Sequence, residues 1–142
     1  MNTAELTKRL QTLAVKHDVL PSSVDDATLG AMLFDAARAI AHDHDVTERA
    51  ATDALTTWLD GNGIMLRFDP VELRRQLVDW QFIVRDGFGR AYRRAPIAPA
   101  RFAEVCAIAA TVDFQSLIAD DRKRDADARA SRKAAHLAQL AA

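Results

Sequence analysis

Apolar positions recur every three or four residues along most of this chain, the spacing of helices that bury one face. Leu6, Leu10 and Leu13 predict a helix over 3–16, opened by the Asn2-to-Glu5 pattern and ended by His17-Asp18 and Leu20-Pro21. Ser22 or Ser23 is placed to cap a second helix over about 24–42, with Asp25 and Asp26 in its first turn. That helix is apolar nearly all round: Leu29, Leu33, Ala36 and Ile40 form one face, Gly30, Phe34, Ala37 and Ala41 another. It therefore belongs either at the centre of the protein or in an oligomer interface, such as that of a homodimer. After the polar loop His42 to Asp45, Thr47 caps a third helix with Ala51, Ala54, Leu55, Trp58 and Leu59 facing inward. Gly61 to Gly63 ends it by accepting the left-handed conformation, and Ile64 to Phe68 is short, apolar and extended.

Asp69-Pro70 opens a fourth helix, a capping residue followed by proline at the first helical position. Leu73, Leu77 and Trp80 point into the core, with Val71, Arg74 and Val78 on the other side. The period then switches. Phe82 to Arg85 and Arg90 to Arg94 read as strands joined by a glycine-rich hairpin turn, Asp86 to Gly89. Pro96 and Pro99 interrupt the chain before a fifth helix with Phe102, Val105, Cys106 and Ala109 inside; Phe114, Leu117 and Ile118 prolong it or start a sixth. From Ala119 to His136 there is no Leu, Ile, Val, Met, Phe, Tyr or Trp, only alanine, one serine, charged residues and His136 itself. That segment predicts a solvated helical arm or a frayed tail, reaching about 36 Å over 119–142 if fully helical.

The sum of these elements is a mainly α protein. Its expected parts are an N-terminal helical segment (1–46) serving core or dimerisation, a winged-helix-like domain with a two- or three-stranded β wing (47–96), a packing helix (97–118) and the charged arm (119–142). Helix 47–60 would support, helix 70–80 would take the recognition position, and 82–94 would be the wing.

Charge sharpens the picture. Residues 1–66 carry five Lys/Arg against ten Asp/Glu, and residues 67–142 carry fourteen against ten. Every basic residue from Arg67 to Arg101 is arginine, whose planar fork suits phosphates and guanine edges. In winged helices that bind DNA, the recognition helix enters the major groove and the wing touches phosphate or the minor groove. Arg74 and Arg75 would then approach the groove, and Arg85, Arg90, Arg93 and Arg94 the backbone. Against this, helix 69–80 holds two arginines and three carboxylates, and Arg75 has Asp79 four residues on. Phe88, between two turn glycines, is placed to touch a partner. Two readings follow: a regulator binding double-stranded DNA as a dimer, and a non-enzymatic module docking on a protein.

Residues 47–94 resemble an uncharacterised bacterial domain family, a domain of unknown function found alone or behind ArsR-type helix-turn-helix regulators. The likeness rests on Thr47-Glu48, Leu55, Leu73 to Asp79, Phe82, Arg85-Asp86, Gly89 and Ala91 to Arg94. It implies a winged-helix-like fold, an association with transcription regulators and no catalytic residues. Ala51-Thr52 stands where the family has an apolar residue followed by Asn, and the connection Gly61 to Phe68 is longer than the family's.

Little else proposes chemistry. Cys106, the single cysteine, lies in an apolar run and reads as a buried, inert thiol. His42 to Asp45 holds metal-ligand types, but neighbours on one loop seldom all face one ion, so neither metal nor cofactor is expected. Trp58 and Trp80 are spaced to face the core. No phosphate-cradling loop, serine triad or helical His-Glu zinc motif occurs. The opening MNTAELTKRL lacks the apolar stretch of a secretory signal, and no run approaches the ~20 apolar residues of a membrane span. A soluble, cytoplasmic protein is expected.

Overall fold

Three helix starts carry the caps their sequences specify. The computed structural model describes residues 1–141. In it, Asn2 caps α1 (Thr3–Ala14) by accepting from Glu5 N at 2.9 Å. Thr47 caps α3 (Glu48–Asp60) through Ala50 N, and Asp69 caps α4 (Pro70–Asp79) through Val71 N. Each such cap contributes about 1 kcal/mol. The cap of α2 (Asp26–Ala37) is Asp25, not a serine. Residues Pro21–Ser23 form a 3-10 turn in which Ser23 Oγ donates back to Leu20 O, which leaves Asp25 to receive Thr28 N.

α2 is buried centrally, by elements of this same chain. Nine of its twelve residues are buried, and it packs against α1 and α5 (Ala103–Ala109). Gly30 is what lets Phe102, just before α5, come so close, since a Cβ there would lie 2.5 Å from Phe102 Cδ1. The helix ends at Ala37 rather than near residue 42, because the carbonyls beyond it are needed elsewhere. Arg94 donates to Arg38 O (3.0 Å) and Ile40 O (3.1 Å), and its backbone N–H to Ala41 O (2.8 Å).

β1 (Val46–Thr47), β2 (Ile83–Arg85) and β3 (Ala91–Arg94) form an antiparallel sheet in the order β1-β3-β2. Val46 pairs with Tyr92, and Val84 with Arg93. The chain order α2, β1, α3, α4, β2, β3 is a winged-helix-like arrangement with α2 as its first helix. The unit is thus wider than the expected 47–96 and draws in half of the segment assigned to dimerisation. α3 and α4 pack face to face, burying Ala51, Leu55 and Trp58 from one and Leu73 and Leu77 from the other. The link between them is a run of turns, not an extended segment, with one parallel bridge from Leu66 to Val19. Gly61 ends α3 at φ −111°, so the stop does not use the left-handed conformation.

α6 (Phe114–Ala141) is a new helix rather than a continuation of α5. Asp113 accepts from Ser116 N at its start. Its first turns bury Phe114 and Ile118 against α1, and Arg122 reaches across to donate to Ala14 O and Lys16 O at the end of α1. Residues 126–141 are exposed along a helix of 28 residues, about 42 Å long. The arm is therefore helical to Ala141 and not frayed. Among the described residues, no single helix is long and apolar enough to cross a membrane.

Candidate nucleic-acid interface

The recognition position is held by α4, and its chemistry is divided by which way each residue faces. Leu73 and Leu77 are buried, as their spacing predicts. Arg74 is buried as well. Its Nη1 donates to Thr52 Oγ1 at 2.6 Å, its Nη2 lies 3.3 Å from Glu48, and its guanidinium stands 5.5 Å from the centre of the Tyr92 ring. Arg74 therefore clamps α4 to α3 and β3 and is not presented to a groove, contrary to expectation. Thr52, where the family resemblance leads one to expect Asn, is the residue that receives it. The exposed polar surface of α4 is Glu72, Arg75 and Asp79, one cation and two carboxylates. Arg75 lies 3.5 Å from Glu72, an exposed pair one turn apart, rather than paired with Asp79.

The wing is built on a turn that binds itself. Asp86 Oδ1 accepts from Arg90 N (2.8 Å) and Phe88 N (3.2 Å), and Gly89 sits at φ +67°, which a glycine adopts without strain. These backbone donors, Arg90 N foremost, hold the Asp86 carboxyl below its ordinary range. Of the four wing arginines, two are exposed and form no ion pair among the described residues: Arg85 and Arg90. The Arg90 guanidinium rests 5.7 Å from the centre of the Phe88 ring, whose residue is 83% exposed at the tip. Arg93 is bound to Asp45 at 3.0 Å. Arg94 is half-buried with its donors given to α2's trailing carbonyls; burial first, and the neighbouring Arg38 charge second, lower its pKa. Arg94, like Arg74, holds the fold together instead of facing a phosphate.

A cleft of about 470 Å³ opens between α4 and the wing. Arg74, Arg75 and Arg85 line it together with Phe88, and Glu48 and Asp79 set two carboxylates against those three cations.

The other sequence candidates are structural. Trp80 stacks on Phe102 at 5.4 Å with Arg101 over both rings, and Trp58 Nε1 donates to buried Asp35 at 2.8 Å. Burial pushes the Cys106 thiol up to about 11, so it is almost wholly protonated at neutral pH. His44 bonds its neighbour Asp43, and among the described residues no three His, Cys, Asp or Glu side chains are grouped to hold a metal ion.

The model of a family described as an uncharacterised protein conserved in bacteria, DUF2087, matches residues 21–94, just over half of the 142. The chain belongs to that family. The DUF2087 match begins at the 3-10 turn before α2 and ends on the last residue of β3, the span of the winged-helix-like unit. It takes in more of the chain than the motifs at 47–94, because α2 is part of the unit. No curated protein and no solved structure matches the chain.

Proposed function

We propose that this DUF2087 protein is a non-enzymatic winged-helix module that docks on double-stranded DNA wing first. Arg85 and Arg90 contact backbone phosphates, Arg75 adds a third contact from across the cleft, and α4 reads no bases. The observation that carries this reading is the pair of unpaired, exposed arginines on one hairpin beside a helix whose own exposed face is net negative. Phosphate contacts set affinity and salt dependence, and base contacts set specificity. Two or three contacts imply binding of low specificity that weakens about 10- to 40-fold between 50 and 200 mM salt. One chain suffices for it: α2, the apolar helix that raised a dimer as an alternative, is covered within its own chain. Such a role is cytoplasmic.

Fluorescence anisotropy with a labelled random duplex, titrated at both salt concentrations, tests the proposal. Binding that follows this salt slope and weakens about ten-fold at low salt in Arg85→Ala/Arg90→Ala supports it. Absence of binding at low salt sinks it.

A protein partner is the second reading, favoured by Phe88. An aromatic 83% exposed at the tip of a hairpin is an apolar anchor waiting for a pocket. Phe88→Ala separates the two: it leaves electrostatic DNA docking nearly intact and removes a protein contact.

A further inference from the structure

A groove of about 770 Å³ lies away from the wing, between α1 and residues 18–25. Leu13, Val19, Leu20 and Val24 give it apolar walls, and Leu20 is 49% exposed with no apolar cover. Charged side chains at its rim are Glu5, Lys8, Arg9, Lys16, Asp18 and Asp25, three of each sign. Arg9 and Asp25 are paired across the groove at 2.9 Å. An ionic ligand of either sign therefore meets no net attraction.

Three hydroxyls line the groove, and each has already given away its proton. Thr12 Oγ1 donates to Lys8 O (3.1 Å), Ser23 Oγ to Leu20 O (2.7 Å) and Thr28 Oγ1 to Asp25 Oδ2 (2.9 Å). What remains on each oxygen is lone pairs. We infer that this groove is a binding site for an uncharged, mainly apolar small molecule that carries one hydroxyl or N–H donor, of the phenol or fatty-alcohol class. The apolar body covers Leu20 and Val24, and the donor reaches the exposed hydroxyl oxygen of Thr12 or Ser23. The volume is that of a small-molecule site.

The site is wired to the winged-helix-like unit on two sides. Val19 donates to Met65 O (2.9 Å) and accepts from Arg67 N (2.8 Å), so one wall is hydrogen-bonded to the connection between α3 and α4. Asp25, in the other wall, caps α2. A molecule in the groove braces both, so its effect extends to the helix pair that carries the wing. None of this depends on what the wing binds.

An amide-resolved NMR titration of the full chain with three probes of one shape provides the test: β-naphthol, its methyl ether and β-naphthoate. The expected order is naphthol tightest, with the ether about five-fold weaker for want of one hydrogen bond, and naphthoate no tighter than the ether. Shifts should centre on Val19, Leu20 and Thr28, with slower hydrogen exchange at the Arg67 amide. Leu20→Arg, or Val24→Arg if the first variant unfolds, should abolish the shifts. Naphthoate binding tightest, shifts centred elsewhere, or no binding by any probe would overturn the inference. So would a concentration-dependent dimer that Leu20→Arg dissolves, which would give the groove to a second copy instead.

Discussion

Helix α4 and the wing hold similar chemistry in sequence and use it in opposite ways. α4 contributes two arginines, of which one is buried in a clamp and the other lies beside Glu72. The wing contributes four, of which Arg85 and Arg90 stand free in solvent. The count of cations in a segment is therefore a poor guide to the charge it offers a partner. What decides is which side chains the fold has already claimed. In this molecule the recognition position is a structural helix, and the hairpin beside it is the electrostatic surface.

The sharpest way to break that contrast is to remove the clamp. Arg74→Ala deletes a buried cation with a hydroxyl acceptor, a carboxylate and an aromatic face around it. It should cost about 2–3 kcal/mol of stability in urea unfolding, against less than ~0.5 kcal/mol for Arg75→Ala one residue on. Equal effects for the two would mean that α4 is not divided as described. Next in size is the wing. Arg85→Ala/Arg90→Ala should lower duplex affinity about ten-fold at low salt and leave the urea midpoint in place.

A smaller effect sharpens the boundary between the two regions. Gln81, at φ +67°, is the residue where α4 hands over to β2. Gln81→Gly should stabilise the protein by roughly 0.5–1 kcal/mol, since glycine reaches the left-handed conformation without a Cβ clash; thermal unfolding reads it directly. The smallest effect belongs to pH. Asp86 has its carboxyl depressed in the folded wing, so the stability it lends is complete above the ordinary value of about 3.8 and is lost as pH falls through its lower folded value. The amides of Phe88 and Arg90 should therefore lose protection only at strongly acid pH, while α4 amides do not move over the same range.

Much of this was legible in the residues. Caps at Asn2, Thr47 and Asp69, the proline after Asp69 and the leucine stripes specify their helices locally, and the winged-helix order follows from them. The first helix of the unit was not legible as such. β1 is two residues long, and its partner Tyr92 lies far along the chain, so nothing local ties α2 to the wing. The buried arginines left clearer signals. Val71, Arg74 and Val78 share a face at helical spacing, and two apolar residues out of three point to a covered face. Arg94 has the same strand parity as buried Tyr92, and alternation alone turns it inward. Arg93, of opposite parity, is claimed instead by Asp45, a loop residue 48 positions earlier, which no periodicity reveals.

The bond from Arg122 to the end of α1 joins residues more than a hundred positions apart. The three-stranded sheet and the α3–α4 pair, by contrast, form between residues 46 and 94. At synthesis rates of about 5–20 residues per second, α1 emerges from the ribosome some 5 to 20 s before the helix that caps it exists. The sheet and the α3–α4 pair can settle in that interval, while α1, with Leu6, Leu10 and Leu13 still uncovered by α6, waits exposed.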